Sequence, residues 1–137
     1  MSTTILVAVT DIFFYTKVRD ALRPQGYTLD RIRTQDEVAE KTASATPAAL
    51  ILNMNDLTLD AFKALETLRT NPALRSLPIL AFANHEEVDT WRRAKELGVT
   101  KVVSRNEFSA RMRELVEEVT ANSAQPSAVS PELNADR

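Results

Sequence analysis

The sequence predicts an α/β protein with a doubly wound parallel sheet of five strands and five helices. Short apolar runs recur along the chain, and stretches of helical length separate them. Strands buried between two layers of helices read as nearly continuous apolar runs, whereas half-exposed strands alternate with polar residues. The regular alternation of such runs with helical segments therefore favours parallel strands joined by crossover helices.

Five strands are predicted in chain order. Four are clear apolar runs, at residues 5–9, 48–52, 77–83 and 100–104, and a weaker strand covers residues 27–33. The run at 48–52 stops at Asn53, and open α/β sheets present their working groups just beyond the carboxyl ends of their strands. Asn53 therefore marks the predicted site. A carboxamide is a poor nucleophile and a weak ligand for hard cations, so phosphoryl transfer is not expected there.

Five helices are predicted from helical apolar spacing and from stop signals. The first contains Phe14 and Val18 and ends before Pro24, and the third contains Leu65 and ends before Pro72. The second, fourth and fifth helices are predicted over residues 35–45, 86–97 and 107–121.

The length of 137 residues fits one domain with a short appendage. We expect the domain to cover residues 1–121. Residues 122–137 contain two prolines and little apolar content, so we expect a flexible C-terminal tail.

The composition excludes several classes of function. A net charge of −2, from 17 basic and 19 acidic side chains, gives no overall attraction to nucleic acid or anionic lipid. The chain has no cysteine and one histidine, so a thiol nucleophile and a Cys or His metal site are not expected. There is neither a signal segment nor an apolar run near the roughly 20 residues that span a bilayer. We expect a soluble cytoplasmic protein without a cofactor, a metal, or a nucleic-acid or membrane partner.

Five ungapped segments, within about residues 4 to 120, together resemble the receiver domain of bacterial response regulators. They are residues 5–11, 23–27, 47–69, 71–80 and 94–99. The resemblance implies a flavodoxin-like sheet with strand order 2-1-3-4-5. It also implies phosphoryl transfer to an aspartate that ends the third strand, with magnesium held partly by an acidic pair after the first strand.

The residues at the matching acidic positions depart from this pattern. Asn53 matches the aspartate, and Val9 and Thr10 match the acidic pair, with Asp11 beside them. Magnesium requires near-octahedral oxygen ligands and is usually held by one or two carboxylates, so these exchanges remove the charge that attracts it. We expect neither a metal ligand nor a catalytic residue in this degenerate pocket.

The pocket departs from the family at two further positions. Ala83 matches the hydroxyl residue after the fourth strand, and Arg105, followed by Asn106, matches a lysine-proline pair. Arginine keeps the positive charge as a planar fork, so it need not reach the same oxygen as lysine. Without proline, the Arg105–Asn106 peptide bond is expected to be trans. Val102 matches the aromatic residue that commonly reports activation.

Two residues near the third strand have competing interpretations. Asn53 is either a ligand group or a polar strand end bonded to nearby backbone. Asp56 could be a displaced phosphoacceptor, but three residues past Asn53 we expect it in the loop and away from the strand end.

Candidate partner-binding residues lie in two places. At the start of the first helix, Phe13, Phe14 and Tyr15 are consecutive and cannot all face one core, so at least one should be exposed. Phe13 or Tyr15 then either covers a loop edge, plugs the former metal pocket or contacts a partner. The second set lies on the fourth helix and fifth strand, where receivers commonly dimerise or engage outputs: Trp91, Arg92, Arg93, Lys95, Lys101 and Val102. A solvated basic face, with Trp91 at the rim of the core, is the simpler alternative.

Three functions are compatible with these residues. The first is a phosphorylation-independent pseudo-receiver, a stand-alone, non-enzymatic protein-interaction module in bacterial signalling, with a protein partner or a homodimer at the face formed by the fourth helix, fifth strand and fifth helix. The second is a small-ligand or anion sensor that uses Thr10, Asn53 and Arg105, which a filled pocket would disfavour. The third, a working receiver with unorthodox residues, has the least support.

Overall fold

A computed structural model of the chain describes residues 3–124. Its strands are β1 (Thr4–Ala8), β2 (Thr28–Arg31), β3 (Ala49–Asn53), β4 (Ile79–Ala83) and β5 (Lys101–Ser104). Its α-helices are α1 (Ile12–Leu22), α2 (Gln35–Ala45), α3 (Ala61–Arg69), α4 (Val88–Glu96), α5 (Arg105–Ala110) and α6 (Met112–Ala124). Short 3₁₀ turns at Arg23–Gln25 and Pro72–Leu74 follow α1 and α3.

The five strands form one parallel sheet in the order β2-β1-β3-β4-β5. The predicted fold class and strand order are therefore confirmed. The strand bounds differ from the predicted ones by one or two residues, because hydrogen-bonded pairing begins and ends inside or beside the apolar runs. The Arg105–Asn106 peptide is trans, as predicted, because the described part of the chain contains no cis bond.

The predicted helix over residues 107–121 is two helices, α5 and α6, separated by a bend at Arg111. Arg111 has φ −128° and ψ 32°, outside the helical region. The main-chain bonds continue through the bend, from the Arg111 N–H to the Glu107 carbonyl and from the Leu115 N–H to the Arg111 carbonyl, both 2.9 Å. The Arg111 guanidinium spans the same bend, donating to Glu107 at 2.6 Å and Glu114 at 3.2 Å.

The core has two parts, one on each face of the sheet. Alternate strand residues point to opposite faces. Leu6, Leu50 and Leu52 belong to the part covered by α2, α3 and α4, whereas Val7 and Ile51 belong to the part covered by α1, α5 and α6. The sheet is thus buried on both sides, which explains why its strands read as continuous apolar runs.

Helix α6 extends through Ala124, three residues into the predicted tail. The remainder of that predicted tail, residues 125–137, lies outside the described residues. Within residues 3–124, none of the helices combines the length and apolar character needed to cross a lipid bilayer.

Candidate functional site

The candidate site lies at the carboxyl edge of the sheet, where β1, β3, β4 and β5 end. Parallel pairing aligns these ends, with Asn53 beside Phe82 and Ala83 beside Ser104. Helices α1 and α5 begin at the same edge. Their N-cap residues, Asp11 and Ser104, accept hydrogen bonds from first-turn amides. The register therefore brings the sequence-predicted pocket residues to one edge.

Asn53 is buried, with 7% of its surface exposed. Its side-chain oxygen accepts a hydrogen bond of 2.9 Å from the Asn55 N–H. This is a local turn in which an amide side chain holds the backbone two residues ahead. The geometry matches the interpretation of Asn53 as a polar strand end bonded to nearby backbone.

Thr10 and Asp56 are bonded to each other across the edge. The Thr10 N–H donates to Oδ2 of Asp56, and the Thr10 hydroxyl donates to Oδ1, both at 2.8 Å. The amides of Thr58 and Leu59 also donate to Oδ1 of Asp56, each at 2.9 Å. Asp56 lies in the loop after β3, as expected, but its side chain turns back from that loop toward the end of β1, a contact that was not expected.

The Asp56 carboxylate is held in its charged form. Partial burial raises its pKa, but the hydrogen bonds from Leu59, Thr10 and Thr58 lower it by more, so its pKa lies below the ordinary value of 3.8. A carboxylate that already accepts four hydrogen bonds has little capacity left for an external ligand.

The remaining positions of the degenerate pocket are also occupied by structural roles. Val9 and Ala83 are buried in the core at 0% and 1% exposure, one in each of its two parts. Asp11 caps α1, accepting from the Phe13 amide at 2.9 Å and from the Phe14 amide at 3.3 Å.

Magnesium, which the receiver resemblance implies, does not fit this set of residues. Among residues 3–124, no group of three or more acidic or histidine side chains is placed to hold a metal ion. The nearest carboxylates, Asp11 and Asp56, are committed to backbone amides and to Thr10.

Arg105 lies over aromatic rings at the same edge. Its guanidinium carbon is 4.1 Å from the centre of the Phe14 ring and 5.6 Å from that of Phe82. Phe82 stacks on Phe108 at 4.6 Å, so the three rings form one cluster beneath the guanidinium. Cation–π contact fixes the orientation of the arginine fork against Phe14.

Residues that the sequence reasoning did not single out join the loops of this edge. The Asn84 N–H donates to the Asn55 side-chain oxygen at 2.8 Å, and the Asn55 side-chain nitrogen donates to Glu87 at 2.9 Å. Asn84 and Thr90 also donate to Glu87, and these bonds from Asn55, Asn84 and Thr90 lower the pKa of Glu87. Short polar side chains within two residues of a strand end, here Asn55 and Asn84, were the available signal.

Arg31 is a second residue that was missed. It reaches across from β2, donating through Nε to the Val9 carbonyl at 3.3 Å and through Nη2 to the Thr10 carbonyl at 2.5 Å. Its guanidinium carbon also lies 5.8 Å from the centre of the Tyr15 ring. The backbone just past β1 is thus held on its carbonyl side by Arg31.

The aromatic residues that begin α1 occupy three different environments. Phe14 is buried, Tyr15 is half-buried against the core, and Phe13 is 82% exposed. The expectation that at least one is exposed is confirmed. Phe13 faces solvent, so it does not plug the former metal pocket.

Phe13 belongs to a group of exposed large apolar side chains at the carboxyl edge. The described residues include four of them: Ile12 (47%), Phe13 (82%), Leu57 (102%) and Val88 (68%). Each lies in the first turn of α1 or α4, or in the loop after β3. All four therefore lie on segments at the carboxyl edge of the sheet.

The predicted basic face on α4 and β5 is partly paired within the chain. Arg92 pairs with Asp89 at 2.8 Å, Arg93 with Glu66 at 3.4 Å, and Lys101 with Glu118 at 2.7 Å, and Lys95 is exposed. The guanidinium of Arg93 also lies 4.2 Å from the centre of the Phe62 ring.

Trp91 and Val102 lie deeper than the basic residues. Trp91 is half-buried against the core and its indole N–H donates to the Asn84 carbonyl at 3.0 Å. Val102 is buried at 8% exposure, so its assignment as a partner-binding candidate is wrong. The middle of β5 is covered on both faces, whereas Lys101 and Ser104 at its ends are half-buried.

Comparison with known proteins finds this fold in solved structures. The signal receiver domain of a signal transduction histidine kinase from Syntrophus aciditrophicus matches with a TM-score of 0.79 and 15% identity, over 94% of this chain and 98% of that one. A response regulator signal receiver domain from Bermanella marisrubri gives 0.78 and 16%, over 87% and 98%.

A third structure is the receiver domain of a sensor histidine kinase from Pseudomonas aeruginosa, which has magnesium coordinated in its active-site cleft. It matches with a TM-score of 0.76 and 15% identity, over 88% of this chain and 99% of that one. No protein-family model and no curated protein matches the sequence. The resemblance to receiver domains is thus confirmed, and at these identities it establishes the fold alone.

Proposed function

We propose that this protein is a phosphorylation-independent pseudo-receiver, a cytoplasmic protein-interaction module in bacterial signal transduction. The observation that carries the proposal is the state of Asn53, an amide whose oxygen is bonded to the Asn55 N–H where a receiver presents a reactive carboxylate. An amide is a poor nucleophile toward phosphorus, and a buried, bonded amide is poorer still.

The surroundings of Asn53 support the same conclusion. Phosphoryl transfer depends on positive charge that neutralises the oxygens of the moving group, usually supplied by magnesium and a cationic side chain. Here Thr10 is bonded to Asp56, and the Arg105 guanidinium is stacked on Phe14. Without chemistry at this edge, the output of the domain is carried by a surface.

The first candidate surface is the basic face of α4 and β5, formed by Trp91, Arg92, Arg93, Lys95 and Lys101 and continued by α6. Its ion pairs do not prevent recognition of a partner, because exposed pairs contribute at most about 1 kcal/mol each. Arginine and tryptophan are the residue types favoured at interface hot spots. We propose that a second copy of the chain or an acidic partner protein docks here.

The second candidate surface is the start of α1, where Phe13 is 82% exposed and Tyr15 is half-buried beside Arg31. An aromatic side chain that projects into solvent from the first turn of a helix costs free energy unless a partner covers it. This surface becomes the favoured one if the basic face proves to be simply solvated.

The alternative function, a small-ligand or anion sensor, has less support. All three of its polar groups are already engaged. Both Thr10 donors are bonded to Asp56, the Asn53 side-chain oxygen accepts from the Asn55 N–H, and Arg105 lies over Phe14 and Phe82. A ligand that used them would first have to displace these contacts.

The chemical part of the proposal is tested with acetyl phosphate and magnesium, with a receiver that has the complete acidic set treated in parallel. Intact mass spectrometry is expected to find the phosphoryl adduct on the control receiver and none on this protein. A stoichiometric acid-labile adduct on this chain would refute phosphorylation independence.

The interaction part is tested with the double variant Arg92→Glu, Lys101→Glu. A matched control, Arg23→Glu with Lys63→Glu, makes the same change in net charge at exposed positions outside this face. Only the first variant is expected to weaken self-association in sedimentation and partner recovery in pull-downs, while both melt close to wild type. Equal partner recovery by the two variants would move the binding surface away from α4 and β5.

A further inference from the structure

In the described residues, one carboxylate joins the loop after β1 to the loop after β3 at the carboxyl edge. Oδ1 of Asp56 accepts from the Thr10 hydroxyl and from the amides of Thr58 and Leu59, and Oδ2 accepts from the Thr10 amide. We propose that Asp56 is an internal anionic clamp that holds the β1–α1 loop to the β3–α3 loop and makes the carboxyl edge independent of a metal ion.

The bonds to Thr58 and Leu59 are local, because they join residues two and three positions apart, as in ordinary aspartate turns. The two bonds to Thr10 are different, because they join residues 46 positions apart and cross from one loop to the other. Hydrogen bonds to a charged acceptor are about twice as strong as those between neutral groups. The local bonds thus orient the carboxylate, and the bonds to Thr10 do the clamping.

Thr10 is also held from its opposite side. Its carbonyl accepts from Arg31 of β2, while its amide and hydroxyl donate to Asp56. The polar groups of Thr10 are therefore bonded within the chain. The receiver resemblance implies magnesium held partly by an acidic pair after the first strand, beside the aspartate that ends the third strand. Here the same two ends are joined by a protein carboxylate, and the residues do not fit the ion.

This inference deepens the proposed function, on which it rests for its biological meaning, because it states what replaces a metal ion in holding the carboxyl edge together. An edge clamped by its own side chain keeps one arrangement whether or not a cation is present. Phe13 and Leu57, each within three residues of the Thr10–Asp56 bonds, are then held at a constant spacing.

Amide hydrogen exchange tests the clamp directly, because the Thr10, Thr58 and Leu59 amides are its donors. In Asp56→Ala, exchange at these three amides is expected to rise by about tenfold or more. In Asp56→Asn, an NH₂ group takes the place of Oδ2, which accepts from the Thr10 amide. A donor then faces a donor, so exchange at the Thr10 amide should rise most. Asp60→Asn is the matched control, since Asp60 is an exposed helix cap in the same loop whose carboxylate accepts from the Lys63 amide and makes no bond to Thr10.

Thr10 variants separate the clamp from a general loss of stability. Thr10→Val removes the hydroxyl bond and should increase exchange at Thr10, whereas Thr10→Ser keeps the bond and should behave as wild type. Amides inside β3 report global unfolding. If Asp56→Ala unfolds the whole domain, the comparison of Thr10→Val with Thr10→Ser decides the question.

Magnesium supplies the second measurement. Addition of millimolar magnesium chloride to the wild-type protein is expected to leave exchange at Thr10, Thr58 and Leu59 unchanged. Two results would overturn the clamp: unchanged exchange at the Thr10 amide in both Asp56 variants, or protection of these amides by magnesium in the wild type. Neither result bears on phosphoryl uptake measured by intact mass, so failure of the clamp and failure of the proposed function remain distinguishable.

Discussion

Replacement of Asn53 by aspartate restores the residue type that a receiver uses, yet we expect it to produce an inactive and less stable protein. Asn53 is 7% exposed, and its oxygen can keep the bond from the Asn55 amide after the change. The new negative charge has no hydrogen-bonded cation, because in the described residues no lysine or arginine side chain is bonded to Asn53. It also lies in the segment that contains Asp56, whose amide bonds to the Asn53 carbonyl at 3.3 Å. Burial and like charge both disfavour ionisation.

The magnitude follows from the pKa of the new carboxyl group. If burial raises this pKa about 1.5 units above the unfolded value near 3.9, the cost at pH 7 is about 2 kcal/mol. The sign is fixed, because an acid whose folded pKa is raised is destabilising above its unfolded pKa. The penalty is absent below about pH 3.9 and complete above about pH 5.5. For a domain of this size, 2 kcal/mol lowers Tm by about 5–10 °C.

The assay compares thermal melts of wild type, Asn53→Asp and Asn71→Asp at pH 4 and pH 7. Asn71 is a close control, since its side-chain oxygen also accepts from the amide two residues ahead, at 3.0 Å, but it is only half-buried. Relative to wild type at the same pH, only Asn53→Asp should become less stable as the pH rises from 4 to 7. Acetyl phosphate with magnesium should leave its mass unchanged.

Either of two results would refute this reasoning. A phosphoryl adduct on Asn53→Asp would mean that the departures at Val9, Thr10 and Ala83 matter less than we infer. A Tm within about 1 °C of wild type at pH 7 would mean that the site solvates or neutralises the new charge, since an unpaired buried charge should lower Tm by more than this.

Three further predictions concern stability. The difference in unfolding free energy between wild type and Asp56→Asn should be present above pH 3.8 and decline as the pH falls below it, because the pKa of the Asp56 carboxyl is lowered in the folded state. A difference that persists at pH 2 would contradict this. In denaturant titration, Gly98→Ala should lose more unfolding free energy than Gly26→Ala. Both glycines have positive φ, which costs alanine about 1 kcal/mol, but only at Gly98 would the added carbon meet Arg69. Equal losses would show that the Arg69 side chain moves freely. Phe108→Ala should lose about 3–5 kcal/mol of unfolding free energy in the same titration, because Phe108 is fully buried and stacked on Phe82. A loss below about 1 kcal/mol would mean that the neighbouring side chains fill the cavity.

Much of the fold could be predicted from the sequence because its signals are local. A buried parallel strand needs several consecutive apolar residues, and residues 48–52 could be recognised without knowledge of their neighbours. The position of Asn53 followed from the end of that run. The bend at Arg111 was missed because the apolar spacing continues across it from Phe108 to Leu115, and most of the main-chain hydrogen bonding continues as well.

Side-chain contacts at the carboxyl edge were predicted less well because they join distant parts of the chain. Asp56 reads as an ordinary loop aspartate, and only the packed loops show its carboxylate against Thr10, 46 residues away. Val102 was placed on the surface because the sequence does not say how completely α4 covers β5. The role of Arg105 depended on the position of Phe14, which another helix provides.

The sequence alone therefore determined the fold class, the strand order through the receiver resemblance, and the departures of Asn53, Val9 and Thr10 from a phosphoryl-transfer site. These properties depend on residue type and on spacing over a few positions. The tertiary structure alone decided which of the polar groups at this edge are bonded to one another, and that Asp56 joins two of its loops. Such contacts are set by the parallel register and by loop packing, which bring together residues that the sequence keeps far apart.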